Sequence, residues 1–172
     1  MTIRRATPAD AETLSALGER TFRETWLDGY RRPYSAADVA TFVVATYGAE
    51  PTRELLADAE AAFWLAERGG QALGYALAGR CSLPYADVAP TDGELKRLYV
   101  SREAQGSGAG SRLLEEALAW LERDGPRRIW IGVWSGNVGA QRLYARRGFA
   151  KVGEHTFAVG ETLDEEFALR RA

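Results

Sequence analysis

Cysteine, histidine and methionine each occur once in the 172 residues. Cys81 has no partner for a disulfide within the chain, which fits a reducing, cytoplasmic setting. Cys81 and His155 are too few soft ligands for a structural zinc site, and no metal is expected. Long apolar runs are missing as well. No stretch approaches the about 18 residues that a membrane helix needs. Met1-Thr2-Ile3-Arg4-Arg5 leads straight into polar, helix-starting sequence, so no signal peptide is legible. Neither charge dominates: 22 Lys plus Arg stand against 24 Asp plus Glu, a net charge of -2. A chain so close to neutral carries no electrostatic footprint for nucleic acid. Repeats, low-complexity tracts and charged tails are absent too. What is present is an ordinary apolar share, 46%, in a chain of the size of one domain covering residues 1–172.

The hydrophobic pattern alternates between strand and helix periods. Ile3 to Thr7 reads as a strand, and Thr7-Pro8-Ala9-Asp10 as a helix start, with Thr7 as N-cap and Pro8 at N1. Leu14 and Leu17 would face the core. Ser35 to Asp38 repeats the start signal before Val39, Phe42, Val43 and Tyr47, and a third helix is expected over Thr52 to Ala59. Gly29 to Tyr34 reads as a loop. Ala62 to Glu67 and Ala72 to Ala78 read as strands joined by Gly69-Gly70. A loop over Leu83 to Gly93 precedes a strand over Glu94 to Val100. Gly108 to Arg123 has Leu113, Leu114, Ala117, Leu118 and Leu121 on one helical face. Ile129 to Trp134 is apolar throughout, as in a strand covered on both sides. A helix over Asn137 to Arg147 ends at Gly148, and Phe149 to Val159 with Glu166 to Arg170 would close a hairpin around Gly160. The class is α/β, centred on a strand–helix–strand unit.

The most informative stretch is Gln105-Gly106-Ser107-Gly108-Ala109-Gly110-Ser111, between that strand and the amphipathic helix. A helix N-terminus has unpaired amide hydrogens and partial positive charge. Glycines let those amides approach phosphate oxygens with no Cβ in the way. A Walker loop needs Gly-Lys, and the chain has no such dipeptide. The dinucleotide pattern needs a third glycine where Ser111 or Leu113 stands, and an acidic residue that the Ile129 to Trp134 strand does not end in.

On these residues the chain resembles the Gcn5-related N-acetyltransferase (GNAT) family. Gln105, Gly108 and Gly110 match that family's Gln-x-x-Gly-x-Gly pyrophosphate loop. Glu94-Leu95-Lys96-Arg97-Leu98-Tyr99-Val100 resembles its preceding strand. Asn137 to Phe149 resembles its Asn-x-x-Ala…Tyr…Gly-Phe segment. The likeness implies one N-acetyltransferase domain over residues 1–172, with a mixed, mostly antiparallel sheet flanked by helices and a central parallel pair splayed for the cofactor. It implies acetyl-coenzyme A as acetyl donor, without metal, held at Gln105, Gly106, Ser107, Gly108, Ala109, Gly110 and Ser111. It places the pantetheine arm against the backbone of Leu98, Tyr99 and Val100, where a main-chain amide would polarise the thioester carbonyl. Asn137 would bond the arm, Ala140 would let it pass close, and Arg147 would meet the ADP phosphates. Trp130 to Trp134 with Asn137, Gly153 to Phe157 and Thr21 to Trp26 further resemble the PaiA-type polyamine acetyltransferases of bacteria.

The same resemblance makes Tyr144 the acid that protonates the leaving thiolate, and helical spacing puts Asn137, Ala140, Gln141 and Tyr144 on one side. An ammonium acceptor, with a pKa near ~10.4, must lose a proton before attack. Glu94, at the start of the strand, is the candidate base. Strand alternation would put it on one face with Lys96, Leu98 and Val100, and a lysine so near counts against a base. Cys81 and His155 are read as structural. Trp26 and Tyr30 would shape the acceptor pocket, and Glu24, Asp28, Asp87 and Asp92 are the carboxylates available to a polyamine. Expected partners are acetyl-coenzyme A and a small amine, with neither nucleic acid nor membrane. An exposed strand edge would support a homodimer, which is common in the family. A protein N-terminus, amino acid or antibiotic amine as acceptor, or a non-catalytic acetyl-coenzyme A sensor, stays open.

Overall fold

The computed structural model describes residues 1–172. Strand β1 (Thr2–Arg5) passes through a 3₁₀ turn (Pro8–Asp10) into α1 (Ala11–Phe22), a π-helical turn (Arg23–Gly29), α2 (Ala36–Tyr47) and α3 (Ala49–Ala57). Then come β2 (Ala62–Arg68), β3 (Gln71–Arg80), β4 (Gly93–Val100), α4 (Ala109–Leu121), β5 (Ile129–Trp134), α5 (Val138–Ala145), β6 (Ala150–Val159) and β7 (Thr162–Arg171). The strands form one sheet in the order β1-β2-β3-β4-β5-β7-β6. Only β4 and β5 run parallel; every other neighbouring pair is antiparallel. This is the mixed α/β architecture expected from the sequence, with most boundaries within three residues.

Side-chain alternation sends the sheet's apolar residues to two sides. Ala62, Trp64, Ala76, Ala78, Leu95, Ile129, Ile131 and Val133 pack with Leu113, Leu114, Ala117 and Leu121 of α4 and with Tyr144 of α5. Phe63, Leu65, Tyr75 and Leu77 pack on the other side with Leu14 and Leu17 of α1. A smaller aromatic cluster of Phe22, Val39, Val43 and Tyr47 fastens α2 to the end of α1. Ser35 caps α2 as expected, its hydroxyl oxygen accepting from the Asp38 amide at 3.0 Å.

The first cap is inverted. The Asp10 carboxylate accepts from the Thr7 amide at 2.7 Å and from the Thr7 hydroxyl at 2.9 Å. The Arg4 guanidinium draws that carboxylate in with two bonds of 2.7 and 2.9 Å, and also grips Glu67 of β2. A charged carboxylate is a stronger acceptor than a hydroxyl, so Thr7 donates rather than accepts. The pairing ties β1, the first turn and β2 together.

Hydrogen bonding from Arg4 holds the Asp10 carboxyl well below the usual carboxylate range. A carboxylate with a depressed pKa adds stability above its unfolded value, and that stability is lost as pH falls through the folded value. Asp10→Asn should lower unfolding stability by about 1 kcal/mol at pH 7, discounting for the partial exposure of Arg4. The gap should narrow below about pH 4 in urea titrations; a pH-independent gap would point to a packing defect instead.

Candidate active site

The site begins with a fault in strand pairing. Leu77 and Ala78 of β3 pair with Arg97 and Leu95 of β4, leaving Lys96 as an extra residue in a β-bulge. Leu95, Leu98 and Val100 therefore all face α4, while Arg97 lies over the Tyr47 ring and Tyr99 packs beside Tyr75. This corrects the simple alternation: Glu94 lies on the opposite side of the sheet from Leu98 and Val100. The parallel pairing is cut short as well. Only Gly93–Ile129 and Glu94–Trp130 are in register, and beyond them β4 and β5 part. A cleft of about 980 Å³ opens there, lined by Leu98, Tyr99, Val100 and Gln105 on one wall and by Asn137, Ala140 and Tyr144 on the other.

The glycine loop stands at one end of this gap. Gly106 and Gly108 take φ of 77° and 83°, left-handed conformations that other residues rarely adopt, and a Cβ at either would point into open space. Ser107 folds back, its hydroxyl donating to Ala104 O at 2.6 Å. The buried Ala109 starts α4. The amides of Gly106, Gly108, Gly110 and Ser111 have no acceptor in the protein, the first intrahelical bond being Arg112 N to Gly108 O. Four unpaired donors at a helix N-terminus make a cradle for a phosphate or diphosphate. The Gln105 side chain donates weakly to Val100 O at 3.4 Å, tying the loop to the strand end.

Helix α5 supplies the facing wall. Asn137 caps it, Oδ1 accepting from the Ala140 amide at 3.0 Å, so the carboxamide NH2 remains for the cleft. Gln141 turns away and donates to Trp134 O and Ser135 O. Tyr144 is buried, and desolvation pushes its phenol above the usual value, with Tyr99 adding to the effect. It stays protonated across the working pH range and so can supply a proton but not act as a base. Arg147 lies outside the cleft walls, paired with Glu115 of α4.

The far end of the cleft lies on the α1–α2 side of the sheet. Trp26, Tyr30 and Trp134 form an aromatic group with centroids 4.6 to 5.8 Å apart, and the Trp26 indole donates to the Tyr99 hydroxyl at 3.1 Å. Trp26 and Tyr30 thus line the cleft, as expected. The carboxylates do not follow the sequence reading. Glu24 accepts from the Arg102 amide, Asp28 faces Arg102, Asp87 pairs with Arg170, and Asp92 is held by Arg128 and Trp130; none lines the cleft. The carboxylates that do are Glu94, Asp164 and Glu166. Glu94 Oε2 accepts from the Ser82 amide at 2.8 Å, the Ser82 hydroxyl at 3.1 Å and Lys96 Nζ at 2.9 Å. Asp164 is bonded by Arg32 and Tyr34, and the Arg32 guanidinium also lies 5.1 Å from the Trp134 ring centroid.

Glu166 and Asp164 were missed because only the β7 register, which pairs Glu166 with His155 and with Trp134, brings them here. One signal was available. Gly132 interrupts an apolar strand, and a glycine inside a strand marks a close approach. A Cβ at Gly132 would stand 2.8 Å from Glu166 Oε2.

Residues 20–149 match the profile of the Acetyltransferase (GNAT) family. An uncharacterised N-acetyltransferase of Mycobacterium bovis is 31% identical over 162 residues, which cover 94% of this chain and 97% of the relative. The "Probable spermine N(1)-acetyltransferase" of Bacillus subtilis subsp. natto is 30% identical over 115 residues, 63% of this chain and 74% of the relative. The PaiA N-acetyltransferase of Thermoplasma acidophilum, crystallised in complex with coenzyme A, superposes with a TM-score of 0.77 at 19% identity, covering 99% of this chain and 97% of that one.

Cys81 lies near the site but is unsuited to nucleophilic work, since burial pushes its thiol up to about 11. It should react with a disulfide reagent at pH 7.5 at least tenfold more slowly than free cysteine, where the thiol pKa is about 8.5. Rapid labelling of the folded protein would contradict this.

Proposed function

The chain belongs to the acetyltransferase (GNAT) family and is an N-acetyltransferase. On that premise we propose that residues 1–172 form one catalytic domain that moves an acetyl group from acetyl-coenzyme A to a primary amine by direct transfer in a ternary complex. The observation that carries this reading is the gap between β4 and β5 opening beside a glycine loop with unpaired amides. An elongated thioester with a diphosphate at one end fits a cleft of that form. When bound, acetyl-coenzyme A supplies the acetyl group in activated form.

The remaining steps belong to the chain. The unpaired amides of Gly106, Gly108, Gly110 and Ser111, with Gln105, hold the diphosphate. The free edge of β4 at Leu98, Tyr99 and Val100 pairs with the amide-rich arm as an added strand would. The Asn137 carboxamide bonds that arm, and Ala140 leaves room for it. Arg147 reaches the ADP phosphates by exchanging its contact with Glu115. Tyr144, uncharged and without another partner, donates its proton to the departing thiolate. The carboxylates on the acceptor side, Glu94 among them, face the incoming ammonium, and one of them takes its proton.

A polyamine is the acceptor we favour. Three carboxylates among aromatic walls suit an extended amine, and the resemblance to the B. subtilis relative supports the same class. A single half-buried cysteine fits a cytoplasmic enzyme, and the outer edge of β6 suits pairing with a second copy.

The test is thiol release from acetyl-coenzyme A with spermidine, simple alkylamines, amino acids, aminoglycosides and peptides bearing a free N-terminus. Amine-dependent release, strongest with spermidine, is expected. Release with peptides alone would discard the polyamine reading, and coenzyme A binding without release for any amine would favour a sensor. Tyr144→Phe should slow transfer by about 100-fold while leaving the dissociation constant for coenzyme A within threefold in calorimetry. An unchanged rate would remove Tyr144 as the acid.

A further inference from the structure

The three carboxylates on the acceptor side are not equivalent. Glu94 is matched by Lys96 and by both donors of Ser82, all on Oε2. Asp164, almost fully buried, is matched by Arg32 and Tyr34. Glu166 has no resident cation. Its one protein partner is His155 Nε2 at 3.2 Å, and His155 Nδ1 stands 3.1 Å from the Tyr85 hydroxyl. Burial pushes the imidazole below its usual value, so it is neutral at pH 7 and brings no compensating charge. The 3.2 Å approach of Nε2 to Glu166 Oε2 is a contact with an uncharged ring and leaves the carboxylate without an ionic partner.

Position reinforces the charge argument. The Glu166 side chain lies over the bare backbone of Gly132, two residues past Trp130 of the last β4–β5 pair. Tyr99, Tyr144 and Glu166 line the same cleft. The groups that face Glu166 are Gly132 of β5, His155 of β6, Asp164 of its own strand, Glu94 of β4 with its partner Lys96, and Tyr99. An ammonium entering the cleft meets one carboxylate that no cation of the protein already holds.

We propose that Glu166 is the residue that binds the acceptor's ammonium and removes its proton. The proposal rests on the acetyltransferase reading above and narrows the acceptor to an unhindered primary amine on an extended or apolar stem, able to pass between Trp26, Tyr30 and Trp134. In the step, an N–H bond of the ammonium breaks and an O–H bond forms on Glu166. The freed nitrogen lone pair attacks the thioester carbonyl carbon, the C–S bond breaks, the sulfur takes the Tyr144 proton, and the surplus N–H proton of the newly acylated nitrogen restores the Tyr144 phenol. Glu166 then gives its proton to solvent.

Burial, with Asp164 and Glu94 adding to it, pushes the Glu166 carboxyl up to about 7. A carboxyl with a raised folded pKa is a destabilising charge above that pH. The experiment follows kcat/KM for the amine against pH between 5.5 and 9, with saturating acetyl-coenzyme A and either spermidine or n-butylamine. Wild type should show a bend near pH 7. Glu166→Gln should lose the bend and fall about 100-fold at pH 8, with coenzyme A affinity within twofold, and Glu166→Asp should restore the bend at a reduced rate. Independently of activity, Glu166→Gln should melt above wild type at pH 8 and level with it near pH 4.5. Wild-type turnover with an unchanged profile in Glu166→Gln would overturn this proposal alone. Absence of wild-type turnover with either amine would instead overturn the acceptor reading on which it rests. Equal melting curves at both pH values would show that Glu166 carries no buried charge, and would overturn the proposal by a route that needs no substrate.

Discussion

A parallel strand pair that stops pairing after two residues has to be held open by something. Here the bulge at Lys96 comes just after the last parallel pair, and past it β3 continues to pair with β4 as far as Val100. One wall of the gap is therefore anchored by an antiparallel neighbour, and the other by β7, which pairs with all of β5. Neither strand can drift back to close the opening without breaking ladder bonds elsewhere. The glycine loop, the N-terminus of α4 and the N-terminus of α5 are all stationed around a space the sheet itself cannot fill.

That opening joins two environments of different character. On the α4–α5 side are unpaired amides, a buried phenol and small residues, a setting for a long thioester. On the α1–α2 side are aromatic rings and acidic groups, a setting for an amine. Within the second setting the acidity is distributed unevenly. Two carboxylates are neutralised by the protein's own cations, and one is left to a neutral imidazole. Low polarity around an unmatched carboxylate strengthens its preference for any cation that arrives, and also for a proton.

Much of this was legible in the amino-acid order. The α4 face declares itself through five apolar residues at helical spacing, and the loop before it through glycines at every second position. Asn137, Ala140 and Tyr144 lie together because helical geometry is local. What escaped notice depends on register. Nothing near Lys96 announces a bulge, so simple alternation assigned Glu94 and Leu98 to one side. Likewise Glu166 reads only as the first residue of the closing strand, and only pairing with β5 and β6 brings it to Gly132 and His155. The acidic residues that did look available, Glu24, Asp28, Asp87 and Asp92, turned out to be matched by arginines and backbone amides drawn from distant parts of the chain. Arg147 shows the same limit, since its pairing with Glu115 depends on how α4 and the end of α5 lie together.

Arg32 gives the acceptor side a further property. Its guanidinium rests over Trp134 while binding Asp164, the arrangement in which an aromatic ring and a buried acid receive a cation. The chain thereby furnishes a tethered rival for that location. Any cation that is to reach Asp164 or the Trp134 ring from the cleft has to displace that guanidinium first.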